Sequence, residues 1–490
     1  MKLFRFFAIS LVLTSQLFAA TNAEKIDALL AEYNKQRYFN GSALVAEHGN
    51  VILRKGYGLA NMEWQVPNAP DTKFRLGSIT KQFTSMVIMQ LVGEGKIKLD
   101  EKMTTYLPEY RKETGDKVTV RHLLTHTSGI PSYTSMPNFF QNVSRNPFEV
   151  DAFVKEHASG DLEFEPGSKW RYNNSGYFLL GAIIEKVTGK TYADALQERI
   201  FTPLGMKESG YDLFATILPK RATGYALTPN GYVNAPYLDM SIPYAAGSLY
   251  STVDDLYKWD RALYTDKLLS DELKKILFTP LLDNYGFGWS VRPQKLDDKK
   301  TEVATIRHNG GINGFSTLEI RMPDTQDLVV LLDNTSRGDK LDALAVGIID
   351  ILHGLDAPAP KASIFEAMMK ILANGDAKQA IARYLELKTK SPQAYDFDEQ
   401  QLNNLGYTML QRRRVADAIE IFRLNVEEYP QSSNVYDSLG EAYAVHGDRD
   451  LAIANYKKSL ELDPKNTNAV EAIKRLEAPE TPKPDAGREH

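Results

Sequence analysis

"FRLGSITKQFTSMV" (residues 74–87) places Ser78 and Lys81 three positions apart inside a run that reads as helix from 78 to 94, stopped at Gly95. Positions i and i+3 share a helix face, so the Lys81 amine can fold back onto the Ser78 hydroxyl. The neighbouring side chains (Leu76, Ile79, Phe83, Met86, Val87, Ile88, Met89 and Leu91) are apolar nearly all round. That pattern predicts a helix buried at the centre of a domain. A lysine in water stays an ammonium, with a pKa near ~10.4, and is no base. A buried one loses hydration, its pKa falls, and its neutral amine can accept a proton from serine. Free backbone N–H groups at a helix start also favour developing negative charge. Alone, Ser-x-x-Lys is a weak signal, although no other serine in this chain has a lysine three residues later.

Two further stretches carry residue types suited to the same chemistry. In "EFEPGSKWRYNNSGYFLLGAIIEKVTG" (163–189), Tyr172 and Asn174 lie two apart where a loop enters a helix expected over 173–188. Tyrosine there can relay a proton and asparagine can grip a substrate amide. The plainer alternative makes Asn174 a helix cap and Tyr172 a core residue. In "RHNGGINGFS" (307–316), Gly310, Gly311 and Gly314 follow a strand and permit close backbone approach beside a cleft, with His308 just before them.

Outward from these motifs, "GSALVAEHGNVILRKGYG" (41–58) reads as two strands about a His-Gly-Asn turn, and 301–334 as three more, the last two joined across Pro323-Asp324. Another helix is expected over 191–200. Strands near both ends with helices between predict one α+β domain over 24–355, its terminal segments meeting in an antiparallel sheet. Beyond the Pro/Ala-rich "GLDAPAPKAS" (354–363) strand signals vanish, and residues 356–477 read as all-α. There, 405–430 realigns on 439–464 at a shift of 34 residues, matching Leu405 to Leu439, Gly406 to Gly440, Ala418 to Ala452 and Phe422 to Tyr456. This period resembles the tetratricopeptide repeat, which implies a surface for a protein partner. A looser copy lies at 373–392, and the tail 478–490 reads as disordered.

The first 23 residues, with Lys2 and Arg5 before an apolar run and small residues at Ala19, Ala20 and Ala23, have the layout of a secretory signal peptide cleaved near 19–23. The expectation is an exported protein, periplasmic or secreted, with no stable membrane insertion after removal. The chain has no cysteine, which excludes disulfides and thiolate chemistry, and its formal charge of −5 offers no basic surface for nucleic acid. His122 and His126 have no metal-site spacing around them, and neither a metal nor another cofactor is expected. "VTGKTY" (187–192) lacks the leading glycine of a phosphate loop, and no Gly-x-Ser-x-Gly elbow occurs.

The three motifs, in this order, resemble those of the serine β-lactamase/penicillin-binding-protein superfamily, in particular its class C branch with DD-carboxypeptidases, D-aminopeptidases and esterases. "VTVRHLLTHTSGIP" (118–131), "AAGSLYSTVDDLYKW" (245–259) and "YGFGWSV" (285–291) look like segments of the same family. The resemblance implies a β-lactamase/transpeptidase-like fold. It implies Ser78 as acylated nucleophile, Lys81 as base, Tyr172 as proton shuttle, and Asn174, His308 and Gly310 as substrate contacts. The backbone N–H groups of Ser78 and Gly311 would form the oxyanion hole. Where β-lactamases usually read Lys-Thr-Gly, this chain reads His308-Asn309-Gly310, so a permanent cation is replaced by an imidazole. Hydrolysis of D-amino-acid peptides or small esters is therefore favoured over efficient β-lactam turnover. A non-catalytic scaffold working through its helical repeats is the reading from another class.

Overall fold

The computed structural model describes residues 20–228 and 231–478. The expected leader thus lies outside the described residues up to position 19, and the expected tail from position 479. The described residues divide into two compact units, one made of those up to Leu227 with Tyr232–Ala359, the other of Thr228, Gly231 and those from Pro360 onward.

The first unit is organised on a six-stranded sheet. Its strands are β1 (Gly41–Glu47), β2 (Asn50–Tyr57), β3 (Ser290–Lys295), β4 (Glu302–Ile312), β5 (Phe315–Met322) and β6 (Asp327–Asp333), in the order β3-β4-β5-β6-β1-β2. All neighbours are antiparallel, and the closing pair of β1 with β6 runs in register from Gly41 opposite Asp333 to Ala46 opposite Leu328. Expectation and structure agree here: the two ends of the unit meet in the middle of the sheet. Strand β3 was not legible as one, because it contains Pro293, which a sheet tolerates at an edge such as this.

Both faces of the sheet are covered, which explains why β6 reads "DLVVLLD" without alternation. Successive side chains point to opposite faces, so Leu328, Val330 and Leu332 join the larger core while Val329 and Leu331 join the other. Helix α1 (Asn22–Lys35) covers that second face with the unit's last helix. The larger core holds helices α2 (Thr80–Gly93), α3 (Asn174–Thr188) and α4 (Val253–Ala262); the last helix is α5 (Gly338–Leu352). Residues Thr80–Met89 of α2 are buried without interruption, the all-round burial that its composition predicts. Phe83 stacks on Trp259 of α4 at 4.4 Å between ring centroids, and the Gln82 side-chain oxygen accepts from the Trp259 indole at 2.9 Å. Two details differ from the sequence reading. Ser78 lies in a 3-10 turn (Gly77–Ile79) ahead of α2, and the helix expected over 191–200 is a short α-helix, Tyr192–Leu196, followed by a π turn, Gln197–Phe201.

The second unit consists of helices α6 (Ile364–Leu372), α7 (Ala377–Lys390), α8 (Glu399–Gln411), α9 (Val415–Glu428), α10 (Ser433–His446), α11 (Arg449–Leu462) and α12 (Thr467–Glu477). Gly406 of α8 packs on the Phe422 ring of α9, and Gly440 of α10 packs on the Tyr456 ring of α11. The two aligned copies thus make the same small-against-aromatic contact. One two-residue parallel pairing, Ala362–Ser363 with Tyr395–Asp396, was not expected in this all-α stretch. Among the described residues, no helix is long and apolar enough to cross a membrane.

Candidate active site

Ser78 sits half-buried in the middle of its turn, and three residues later Lys81 is fully buried. The Lys81 Nζ lies 2.9 Å from Ser78 Oγ, 2.9 Å from Asn174 Oδ1 and 2.8 Å from the Ala246 carbonyl oxygen. Two of these partners can only accept. A neutral amine must give them its two hydrogens, which leaves its lone pair facing the one partner that carries a proton, the Ser78 hydroxyl. Burial favours the neutral amine by holding the Lys81 pKa well below the ordinary 10.5. The faces of Tyr172 and Tyr177, at 4.9 and 5.5 Å from Nζ, complete its surroundings.

Asn174 is free for this contact because capping of α3 falls to its neighbour. The Asn173 side chain accepts from the Gly176 N–H at 2.8 Å. Asn174 Nδ2 donates one hydrogen to Thr134 Oγ1 at 3.1 Å, which leaves the second for the cleft.

Tyr172 precedes α3 on an extended segment that His126 holds from both sides. The Arg171 N–H donates to the His126 carbonyl at 2.9 Å, and the Asn173 N–H donates to His126 Nδ1 at 3.1 Å. The His126 ring lies 4.4 Å from the Tyr172 ring and 4.6 Å from that of Tyr285. His126 is buried and its pKa well below the ordinary histidine value, chiefly through desolvation, so it acts as a neutral strut. Tyr172 is paired with Ser78, and burial raises its pKa above the ordinary phenol value.

His308 lies on β4 and is 5% exposed. Its Nδ1 is 2.6 Å from the Asn309 carbonyl oxygen and its Nε2 is 2.8 Å from the Tyr285 hydroxyl. A carbonyl only accepts, so Nδ1 carries the proton and Nε2 accepts from Tyr285. Burial, reinforced by Lys81 when that amine is protonated, lowers its pKa to about 3. At neutral pH, His308 brings no charge to the site.

The two glycines after Asn309 do different things. A Cβ on Gly310 would meet the Leu76 carbonyl oxygen at 1.9 Å, so this glycine lets β4 lie against the segment leading to Ser78. Gly311 is open, and it borders the cleft together with Ser78. Gly77 has φ +54°, and a Cβ there would meet the Gly311 nitrogen at 2.9 Å. The backbones that carry the Ser78 and Gly311 N–H groups are therefore brought side by side. The cleft beside them has a volume of about 370 Å³. Lys81, Tyr172, Asn174 and Gly311 thus gather around Ser78, His308 stands beside Tyr172 with 6.3 Å between ring centroids, and Gly310 works as a spacer. Tyr285, His126, Thr134 and the Ala246 carbonyl were missed as site residues. Tyr285, His126 and Ala246 sit in stretches whose likeness to the family was visible, yet no spacing linked them to Ser78.

A family model described as Beta-lactamase matches residues 26–351. Penicillin-binding protein 4* of Bacillus subtilis (strain 168) is 33% identical over 366 residues, which span 69% of this chain and 77% of that protein. Esterase EstB of Burkholderia gladioli is 35% identical over 206 residues, 39% of this chain and 52% of the esterase. Among solved structures, D-amino acid amidase from Ochrobactrum anthropi SV3, complexed with L-phenylalanine amide, superposes with a TM-score of 0.58 at 25% identity, covering 68% of this chain and 99% of the amidase.

Gly310→Ala is expected to lower stability by about 1–3 kcal/mol, because the obstacle is backbone that cannot move aside. A urea titration followed by near-ultraviolet circular dichroism checks this; an unchanged midpoint would contradict the tight packing of β4 on Leu76.

Proposed function

The chain belongs to the Beta-lactamase family and is a serine hydrolase, and we propose that Ser78 is its nucleophile, with Lys81 as the base. The observation that carries this reading is the Lys81 amine, held by two acceptors so that its lone pair faces Ser78 Oγ. Lys81 takes the Ser78 proton as Oγ attacks the substrate carbonyl carbon. The negative charge that forms on the carbonyl oxygen is met by the Ser78 and Gly311 N–H groups, a kind of contact worth about 10²–10³ in rate per donor. The Tyr172 hydroxyl, paired with Ser78, passes a proton to the leaving group and is reprotonated from the Lys81 ammonium; a water that gives its proton to the neutral Lys81 amine then attacks the acyl carbon, and Ser78 Oγ leaves with that proton.

For the substrate we propose small esters or peptides of D-amino acids. The relatives named esterase and D-amino acid amidase support this range. The neutral, inward-facing His308 speaks against efficient β-lactam turnover, since the site lacks the permanent cation of Lys-Thr-Gly. We also propose export through the leader at 1–23, with cleavage before Thr21. Thr21 and Glu24 form the capping box that starts α1, and removing Thr21 would uncap that helix. The helical unit, tetratricopeptide-like in its 34-residue period, is proposed to hold a protein partner.

Incubation with a fluorophosphonate is expected to add one adduct to the wild-type protein and none to Ser78→Ala, read by intact mass. The same spectrum reports the mature N-terminus. Equal labelling of the variant would overturn the assignment of Ser78, and a mature chain starting after Thr21 would overturn the cleavage proposal.

The pH dependence follows from the direction of the Lys81 shift. Its amine becomes neutral at a pH below that of an ordinary lysine, so kcat/KM for a neutral ester rises with pH through the Lys81 pKa and then levels off. Tyr172 titrates above the ordinary phenol value, and His308 is already neutral above about 3, so neither adds a falling limb below pH 9. Lys81→Arg, which cannot deprotonate, is expected to lower kcat by about 10²–10⁴. A variant within twofold of wild type would remove Lys81 from the role of base.

A further inference from the structure

We infer that the cleft beside Ser78 is an acyl pocket for a neutral, ring-bearing group and that it turns away acyl groups carrying a carboxylate or an ammonium. This rests on the reading of Ser78 as nucleophile and goes on to the class of substrate.

Every side chain lining the cleft is uncharged. One wall is apolar and fixed by the core. Tyr133, Phe139, Leu238, Ile242 and Phe315 are each at most 5% exposed, and Phe140, 51% exposed, carries that wall out to the rim. Phe139 packs against Tyr133 at 5.2 Å and edge-on to Phe140 at 5.5 Å. The Tyr133 N–H donates to Ser175 Oγ at 2.9 Å, which ties the wall to the first turn of α3. Such a wall exists before substrate arrives, so little ordering opposes binding.

The charges nearest in sequence to the lining are committed elsewhere: the Asp239 carboxylate, next to Leu238, accepts from the Tyr237 hydroxyl and from the Ser241 N–H and hydroxyl. Arg337 follows Ser336 of the lining, but its guanidinium lies 5.0 Å above the Tyr38 ring. Arg75, two residues before Gly77, donates to Asp212 at 2.6 Å. Lys81 is beneath the floor and engaged with Asn174 and Ala246, and His308 is neutral and turned to Tyr285. A carboxylate entering here would give up its hydration with no cation to replace it. An ammonium would meet ring faces but no carboxylate. An aromatic ring loses only unfavourable contact with water, and its edges and faces find matching rings. The second amide hydrogen of Asn174 remains as a donor for a neutral oxygen on the acyl group.

Three p-nitrophenyl esters of one shape test this: those of 3-(4-methylphenyl)propionate, 3-(4-carboxyphenyl)propionate and 3-(4-aminomethylphenyl)propionate, assayed at pH 7.5 on the full chain. The leaving group is shared, so kcat/KM reports the acyl group alone. The methylphenyl ester is expected to exceed each charged one by at least about a hundredfold. Phe140→Lys, a change at the exposed rim, is expected to raise kcat/KM for the carboxyphenyl ester at least tenfold relative to the methylphenyl ester. Equal or better turnover of a charged ester by wild type, or no change of that ratio in Phe140→Lys, would overturn the pocket assignment. If no ester is consumed while Ser78 still takes a fluorophosphonate, the pocket assignment falls and the nucleophile stands. If Ser78 takes neither, both fall.

Discussion

The rest of the site depends on one constraint, a lysine amine sealed from water with three oxygens around it. Two of those oxygens are acceptors only, so the hydrogen-bond geometry itself decides where the lone pair points. Sealing requires a helix with no wet face, which is why α2 is buried on every side and why Phe83 and Trp259 stack beside it. The acceptors come from far along the chain, Asn174 at the start of α3 and Ala246 from the segment before α4. The fold therefore serves the amine by bringing three distant segments to one atom.

Backbone proximity is the second requirement. Gly77 and Gly310 bring the turn that carries Ser78 and strand β4 nearer than any side chain would permit, and this sets the Ser78 and Gly311 N–H groups at one cleft. The sheet that holds β4 is joined across its middle by β1 pairing with β6, so the two ends of the unit jointly fix the position of the Gly311 backbone. Replacing a lysine by His308 in that strand has an electrostatic consequence. With the imidazole buried and its pKa down near 3, His308 brings no positive charge to the cleft at neutral pH, and in the proposed reaction hydrogen bonds and shape are left to hold the substrate.

Much of this was legible in the sequence because local signals and global fold agree. The two strands of 41–57 and the three of 302–333 show as runs between turn residues, and burial of α2 shows in its composition. Ser78 and Lys81 share a helix face by spacing alone. The remainder depends on contacts between residues far apart in the chain. Asn173 and Asn174 are chemically identical neighbours, and only the three-dimensional path decides which caps the helix and which faces Lys81. Tyr285 meets His308 across 23 residues, and His126 reaches Asn173 across 47. The aromatic wall at 133–140 belongs to a loop whose residues show no periodicity, so its role emerges only from what it packs against.

The most direct measurement is the titration of the Lys81 side chain itself, by carbon NMR of protein labelled at lysine Cε, with the resonance assigned through Lys81→Arg. The expected result is a midpoint well below the ordinary 10.5, with a neutral amine present at the pH where the protein works. A Lys81 resonance that stays in the ammonium position up to pH 10 would contradict the claim that burial turns this lysine into the base for Ser78.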